Sequence, residues 1–298
     1  MKNKWIQKLM ILLISLLVLS ACTPSTNQEE TIIVGGKNFT EQFIMSEMLS
    51  MLIEEKTDLN TELKTNLSGT VLFEAIKAQE VDLYLEYTGT ALIYLGEEPT
   101  TDPDEVLEIV IEGFEKELDM RWSKPYGFNN TYAMVVTQET ADQYNLKTVS
   151  DMAAVADQLT LGGSYTFTER ADGYPGLSEH YNFEFKDVRG IEPSLMHAVL
   201  EQGDVDVISA FATDGQIAAF QRVILEDDKQ FFPPYDAAVI ARSEVLEAHP
   251  ELVDVLDLLA GRIDDLKMSE LNAKVDLDQM EPRDVARDFL VEEGLIDQ

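Results

Sequence analysis

Short apolar runs alternate along the chain with segments whose apolar residues recur at helical spacing. Residues 31–34 are mostly β-branched and predict a strand, and Gly35-Gly36 predicts a turn after it. Asn38, followed three residues later by Glu41, predicts a helix that Asn38 caps. Strands that alternate with helices in this way are typical of α/β proteins with parallel sheets.

The same alternation continues to the C-terminus. The pattern predicts helices over residues 72–78 and 104–118, a helix from 151 with Ser150 as its cap, and helices over 192–200 and 282–294. It predicts strands over residues 81–85, 133–137, 205–209 and 237–240, and a rigid crossover over the proline-containing run 232–235.

Two stretches resemble each other although they lie far apart. EVDLYLEYTGT spans residues 80–90, and DVDVISAFATD spans residues 204–214. Each has an acidic-Val-acidic start, an apolar run and one aromatic residue, Tyr87 or Phe211, before small polar residues. Ligands bind beyond the carboxyl ends of strands in open α/β sheets. The repeat therefore predicts two similar α/β lobes that face each other across a cleft, with one aromatic residue on each wall.

The N-terminus has the pattern of an export signal. Lysines precede the apolar run 10–18, which is too short for a membrane span and is followed by LSAC. That ending resembles the bacterial lipobox and predicts cleavage after residues 1–21 and lipidation of Cys22, although a lone exported cysteine could instead be a reactive thiol or form an intermolecular bridge. Residues 22–30 are predicted to be a tether, so the protein is expected on the extracytoplasmic face of the membrane.

Acidic residues dominate the composition. The chain has 22 Lys and Arg against 56 Asp and Glu, and its formal net charge is −34. This excess excludes nucleic acid as a partner, because phosphate binding needs clustered Lys and Arg. The charge fits either a soluble surface protein or a field that gathers cationic solutes, and charge alone does not separate the two.

Motifs of catalysis and metal binding are missing from the sequence. The three histidines lack metal-ligand spacing, and GxSxG, HExxH, Walker A and GxGxxG are absent. The acidic run 102–105 lacks the spacing of a calcium loop, and the sequence identifies no partner histidine for a nucleophile at Ser164. We therefore expect no enzyme activity, no cofactor and no bound metal.

Five motifs carry a resemblance to a known family. They are GKNFTEQ at 36–42, EYTGT at 86–90, FNNTYA at 128–133, EDD at 226–228 and PPYD at 233–236. Together they resemble the substrate-binding proteins of quaternary-amine ABC importers, the ProX- and OpuC-like receptors for glycine betaine, choline, carnitine and related osmoprotectants. The resemblance runs from about residue 31 to 295, which is nearly all of the chain after the signal.

The resemblance implies a type II periplasmic-binding-protein fold, in which two α/β lobes joined by two hinge crossovers hold the ligand between them. Lobe 1 would comprise residues 31–128 plus 236–298, and lobe 2 would comprise residues 129–235. The partners implied are a small quaternary amine and the permease and ATPase subunits of an ABC importer, which would be separate chains. The receptor itself is expected to be a monomer.

The resemblance also implies an aromatic cage for the ligand's cation. A trimethylammonium group has no N–H to donate, whereas aromatic ring faces attract it at about 0.5–2 kcal/mol each. The positions that match the family's cage are Tyr87, Tyr132, Phe211 and Tyr235, with a main-chain carbonyl near Asn130. Phe211 stands where tyrosine is usual in the family, so one ring face is kept without its hydroxyl.

The ligand's carboxylate would be held by basic and hydroxyl groups. The matching positions are Lys37, Thr90 and Arg170, of which Arg170 suits a bidentate contact. Each has a plainer alternative: Lys37 could be a solvated turn residue, Thr90 a helix cap, and Arg170 a partner of a neighbouring acidic residue. Rival interpretations of the whole are another small cationic or zwitterionic solute, choline alone, or a surface sensor that does not take part in transport.

Overall fold

The computed structural model describes residues 31–97 and 100–297. The predicted signal, Cys22 and the tether lie outside the described residues. Within the described part of the chain, no helix is long and apolar enough to cross a membrane.

Ten strands form two five-stranded sheets. They are β1 (Thr31–Lys37), β2 (Asn60–Leu67), β3 (Leu83–Tyr87), β4 (Met120–Trp122), β5 (Tyr132–Val136), β6 (Thr160–Gly163), β7 (Asp187–Gly190), β8 (Val207–Phe211), β9 (Val223–Leu225) and β10 (Ala237–Arg242). The first sheet has the order β2-β1-β3-β10-β4, and the second has the order β7-β6-β8-β5-β9. The two orders have the same pattern, as the sequence repeat predicts.

Fourteen α-helices within the described residues flank the sheets. They are α1 (Thr40–Lys56), α2 (Gly69–Lys77), α3 (Thr88–Leu95), α4 (Pro103–Gly113), α5 (Gln138–Tyr144), α6 (Val149–Ala153), α7 (Tyr165–Glu169), α8 (Tyr174–Tyr181), α9 (Met196–Glu201), α10 (Gly215–Ala219), α11 (Ser243–Ala248), α12 (Glu251–Leu256), α13 (Asp265–Asp276) and α14 (Pro282–Glu292). Short 3₁₀ turns cover Ala156–Gln158, Pro193–Leu195 and Asp257–Leu259, and a π-helical turn, Phe114–Leu118, extends α4.

Strand direction explains how the chain crosses between the sheets. Strands β1, β2 and β3 are parallel, as are β6, β7 and β8, but β10 runs antiparallel to β3 and β5 antiparallel to β8. Both β5 and β10 are the first strands after a crossover. Each crossover brings the chain to the carboxyl ends of the neighbouring strands. The first strand after the crossover must therefore run in the opposite direction to those strands. The sheets are therefore mixed, and these two strands differ from the parallel arrangement that the sequence pattern predicted.

The two crossovers are hydrogen-bonded to each other. The Asn130 amide donates to the Tyr235 carbonyl at 3.0 Å, and the Tyr235 amide donates to Asn129 Oδ1 at 3.0 Å. Asn129 also forms an isolated bridge with Asp236. The contacts lie at the predicted hinge positions, while the division of the chain into lobes at those residues stays a prediction.

Gly35-Gly36 does not form the predicted turn, because β1 continues through both residues to Lys37. A Cβ on Gly35 would lie 2.6 Å from Leu72 Cδ1, and a Cβ on Gly36 would lie 2.5 Å from Ser46 Oγ. The glycines therefore allow helices to pack closely against both faces of the strand.

Two predicted helix caps are also wrong. The N-cap of α1 is Phe39, and the Asn38 side chain instead donates to Glu192 Oε2 at 3.2 Å. Helix α6 is capped by Thr148, which forms a capping box with Asp151, so Ser150 lies inside the helix. The predicted last helix is confirmed as α14, which buries Val285, Phe289 and Leu290 among other residues.

Helix α1 is the centre of the first core. Eleven of its residues are buried, including Ile44, Met48 and Leu52, because it packs between the first sheet and helices α13 and α14. Its first turn is thereby fixed at the end of β1, beside the carboxyl ends of the strands.

Replacing Gly35 with alanine should destabilise the fold by about 1–3 kcal/mol, because the added methyl would overlap the side chains of Leu72 and Val81. Denaturant unfolding measures the effect. Gly69→Ala is the matched control: its methyl would meet nothing nearer than 3.6 Å, so we expect a change within about 0.5 kcal/mol. Equal stability of both variants would refute the close-packing explanation.

Candidate functional site

The carboxyl ends of β1, β3 and β8 converge on a cavity of about 120 Å³ between the sheets. It is lined by Lys37, Asn38, Phe39, Ser68, Gly69, Tyr87, Thr90, Asn130, Tyr132, Ser164, Tyr165, Thr166, Arg170, Glu192, Pro193, Phe211 and Tyr235. Drug-sized ligands occupy pockets of roughly 300–1,000 Å³. A cavity this small suits a compact solute.

All eight residues predicted to bind the ligand line this one cavity. The structure thus brings together positions that are up to about 200 residues apart in the chain. Their contacts with a ligand stay predictions. The predicted lipidation site, Cys22, lies outside the described residues.

Strand pairing places two of the predicted cage rings side by side. Tyr132 begins β5 and is the register partner of Phe211, which ends β8. Their rings stack with centroids 5.4 Å apart and an interplanar angle of 27°. Tyr235 meets the Tyr132 ring edge-on at 5.6 Å and 79°. Directly opposed residues of antiparallel strands bring their side chains close, which accounts for the stack.

Phe39 connects the two predicted walls. Its ring stacks on Phe211 from the second sheet at 4.7 Å and lies 6.4 Å from the Tyr87 ring of the first. Sequence reasoning missed this residue. The sequence pattern placed the helix cap at Asn38, so it gave no reason to single out Phe39, which the structure shows to be the N-cap.

The Tyr87 hydroxyl forms two buried hydrogen bonds. The hydroxyl donates to Glu41 Oε1 at 2.5 Å and accepts from Gln42 Nε2 at 2.9 Å. Burial raises the pKa of the Tyr87 phenol well above its ordinary value, and the neighbouring Glu41 carboxylate adds to that shift. The ring therefore stays a neutral phenol in one fixed orientation.

Glu41 lies behind Tyr87 and is buried, with 2% of its surface exposed. Besides Tyr87, it accepts hydrogen bonds from Asn130 Nδ2 at 2.8 Å and Thr213 Oγ1 at 2.6 Å. Burial raises the pKa of Glu41 to about 7, while the hydrogen bonds from Thr213 and Tyr87 act in the opposite direction. The sequence pattern assigned Glu41 to a capping box, so its contact with Tyr87 was missed.

Lys37 is not a solvated residue, because it forms a buried ion pair with Glu86. Burial lowers the pKa of Lys37, and the attraction of Glu86 opposes that change. Its Nζ atom lies 4.6 Å from the centroid of the Tyr87 ring. Glu86 also accepts from the Tyr84 hydroxyl at 2.9 Å and the Tyr87 amide at 2.8 Å.

Arg170 forms a bidentate ion pair with the buried Asp172, with an Nε–Oδ1 distance of 2.7 Å. Asp172 Oδ2 also accepts from the Tyr235 hydroxyl at 2.8 Å. This is the neighbouring acidic partner that the sequence left open for Arg170. Each of the two cations that line the cavity is therefore already neutralised by a buried carboxylate.

Thr90 is buried in the first turn of α3 and lines the cavity, but Tyr87, not Thr90, is the cap of that helix. Binding of the ligand's carboxylate by Lys37, Thr90 and Arg170 stays a prediction. Over residues 31–97 and 100–297, no group of three or more His, Cys, Asp or Glu side chains could hold a metal ion.

The chain matches a known family over most of its length. Residues 30–292 match the family described as the substrate-binding domain of ABC-type glycine betaine transport systems. The chain belongs to that family. It is a family of transporter solute-binding proteins and not an enzyme family.

Similar proteins support the same placement. The carnitine transport binding protein OpuCC of Listeria monocytogenes is 40% identical over 97% of both chains. A glycine-betaine-binding protein of Pseudomonas aeruginosa is 34% identical, covering 91% of this chain and 90% of that one. A crystal structure of a glycine betaine/carnitine/choline ABC transporter is 37% identical with a TM-score of 0.71, covering 89% of this chain and all of that one. The predicted type II periplasmic-binding-protein fold is confirmed.

Replacing Lys37 with methionine should destabilise the fold by about 3–5 kcal/mol, because it would leave Glu86 buried without its cation. Urea unfolding measures the loss. Adding Glu86→Gln to the same chain should recover a large part of it.

Lys64→Met is the matched control, since Lys64 pairs with Glu80 at 2.6 Å on the surface and should contribute at most about 1 kcal/mol. If Lys37→Met costs no more than Lys64→Met, the buried pair has no structural role.

Proposed function

We propose that the chain is the extracytoplasmic receptor of an osmoprotectant ABC importer and that it binds a quaternary ammonium compound in the aromatic cavity. The receptor would deliver its solute to the permease and ATPase subunits, which are separate chains. It would be held at the membrane by a lipid on Cys22. It would act as a monomer and without covalent chemistry.

One observation carries the proposal: aromatic rings from both sheets converge on one small cavity. Tyr87 ends β3 of the first sheet and Phe39 precedes α1, which packs on that sheet, whereas Tyr132 and Phe211 lie on β5 and β8 of the second sheet. A quaternary cation has no hydrogen to donate, so hydrogen bonds cannot hold it, whereas ring faces attract it at about 0.5–2 kcal/mol each. Micromolar binding needs about −8 kcal/mol, which several rings and the desolvated methyl groups can supply together.

The relatives support this class of solute. Two of the relatives are a carnitine transport binding protein and a glycine-betaine-binding protein, and both ligands carry a trimethylammonium group. In this chain the carboxylate of such a ligand would have to share Arg170 with Asp172 and Lys37 with Glu86. We propose that Thr90 adds a hydroxyl donor to that end of the cavity.

The ion pairs of Lys37 with Glu86 and of Arg170 with Asp172 favour a second candidate function. Because both cations already have carboxylate partners, the cavity offers no unpaired positive group among the described lining residues. A cation without a carboxylate, such as choline, would need no unpaired positive group there. The alternative function is therefore a receptor for choline or a similar small cation.

Titration calorimetry with glycine betaine, carnitine, proline betaine and choline tests the proposal and separates the two candidates. We expect at least one of the four to bind with a Kd in the micromolar range. Tighter binding of choline than of glycine betaine would favour the second candidate. Failure of all four to bind below millimolar concentration would overturn the proposed function.

Replacing Tyr132 with leucine should weaken binding of the preferred solute by about 1–2 kcal/mol, because leucine keeps apolar bulk but removes a ring face. Calorimetry gives the affinity, and circular dichroism checks the fold. Tyr144→Leu is the control, since Tyr144 packs against the same hydrophobic core as Tyr132 but does not line the cavity. Unchanged affinity in Tyr132→Leu would remove Tyr132 from the cage.

A further inference from the structure

Three buried carboxylates around the cavity each accept a hydrogen bond from a tyrosine hydroxyl: Glu41 from Tyr87, Glu86 from Tyr84 and Asp172 from Tyr235. Glu86 and Asp172 also have cationic partners. Glu41 differs, because its donors are all neutral and no described residue forms an ion pair with it. If it is ionised, its negative charge is not cancelled.

The position of Glu41 connects it to the cage without placing it in the cavity. It does not line the cavity, but Tyr87 does. Its three donors come from the end of β3, the first crossover and the loop after β8, so the carboxylate connects segments that belong to both sheets. Asn272 Nδ2 on α13 holds Thr213 in place by donating to its carbonyl at 3.0 Å.

We infer that Glu41 is a positioning and affinity-determining residue, which acts on the bound cation through Tyr87. When a carboxylate accepts a hydrogen bond from a phenol hydroxyl, the aromatic ring becomes more negative. The face of a more negative ring attracts a cation more strongly. The net negative charge behind the ring adds a direct attraction in a site shielded from water. This inference rests on the proposed binding of a quaternary cation.

The protonation state of Glu41 controls this effect. Burial raises the pKa of Glu41 to about 7, with opposing hydrogen bonds from Thr213 and Tyr87 and a further upward contribution from Asp214. Below that pH the carboxyl group is neutral, and above it the group is charged. Because a bound cation favours the charged form, affinity for the cation should rise as pH increases through about 7, and binding should lower the pKa of Glu41.

Other titratable groups surround Glu41 and must be separated from it. Asp214 contacts His197 at 3.3 Å, and Asp276 on α13 accepts from Thr40 Oγ1, next to Glu41, at 2.5 Å. Burial raises the pKa of Asp276. Lys37 lies over the Tyr87 ring and is paired with Glu86.

Both protonation states of Glu41 leave the network satisfied. Thr213 Oγ1 lies 2.6 Å from Glu41 Oε2 and 3.2 Å from Asn130 Oδ1. When Glu41 is charged, Thr213 donates to it. When Glu41 is protonated, it can donate to Thr213, whose hydroxyl then donates to Asn130. A change of pH therefore alters the charge behind Tyr87 without leaving a buried group unpaired.

Titration calorimetry with choline between about pH 6 and pH 8 tests the inference, because choline has no group that titrates in this range. We expect affinity of the wild-type protein to rise about three- to tenfold across the range, since a shift of one pKa unit corresponds to tenfold. Glu41→Gln should bind choline with an affinity that hardly changes with pH. Tyr87→Phe, which keeps the ring but removes the hydroxyl, should also show a markedly flatter profile.

Glu47→Gln is the matched control, because Glu47 lies on the same helix and pairs with Arg283 at 2.8 Å on the surface. Its pH profile should equal that of the wild type. A pH dependence that survives in Glu41→Gln would assign the effect to other groups and overturn the inference. If Glu41→Gln fails to fold, the wild type and Tyr87→Phe still test the inference. Equal slopes of choline affinity against pH in these two proteins would exclude action of Glu41 through the phenol.

The two proposals fail in different ways. A pH-independent affinity for choline in the wild type would overturn the role of Glu41 and leave the receptor function intact. Absence of binding by every quaternary amine at every pH would overturn the receptor function itself.

Discussion

Burial of charge beside an aromatic cavity is the constraint on which the site depends. A carboxylate removed from water needs several hydrogen bonds or a cation, and an unpaired one is strongly destabilising. In this protein the tyrosines meet that need, since the hydroxyls of Tyr87 and Tyr235 are donated to Glu41 and Asp172. The same bonds fix the orientation of two rings that line the cavity. The hydrogen bonds that satisfy these two buried carboxylates therefore also orient the Tyr87 and Tyr235 rings at the cavity.

Strand direction brings the rings together. The strands that end at the cleft carry Tyr87 and Phe211 as their last residues, and the strand that starts there carries Tyr132 as its first. Crossovers that deliver the chain to this edge force β5 and β10 to run antiparallel to their neighbours. That reversal pairs Tyr132 with Phe211 in register. The topology thus assembles residues from distant parts of the chain without long loops.

Local sequence patterns predicted the parts of the site that lie on regular elements. The repeated strand ends pointed to Tyr87 and Phe211. The family resemblance added six further positions that line the cavity: Lys37, Thr90, Asn130, Tyr132, Arg170 and Tyr235. It did not point to Phe39, which lines the cavity as well. Such patterns could not predict the partners of the charged residues, because those partners are distant in the sequence. Lys37 and Glu86 are 49 positions apart, and Glu41 and Thr213 are 172 positions apart. Glu41 follows Asn38 at capping-box spacing, so the local pattern led to the wrong contact.

The glycines and helix starts show the same limit. Gly35-Gly36 has the composition of a turn, but the close packing of Leu72 and Ser46 against β1 is what requires glycine at these two positions. Phe39 lacks a capping oxygen, and its place at the start of α1 is explained only by the rings on either side of it. In each case a contact between distant segments overrides a local preference, as tertiary packing commonly does.

Under the proposed function, the ring faces hold the solute because of its positive charge. Comparing choline with 3,3-dimethylbutan-1-ol, its uncharged carbon isostere, tests this directly, because the two molecules share shape and hydroxyl. In calorimetry at pH 8 and fixed salt, we expect choline to bind at least about tenfold more tightly, given the size of cation–π attraction in a desolvated site. Equal affinities would mean that the cavity selects only for shape and apolar surface, and would rule out cation–π attraction as the source of binding.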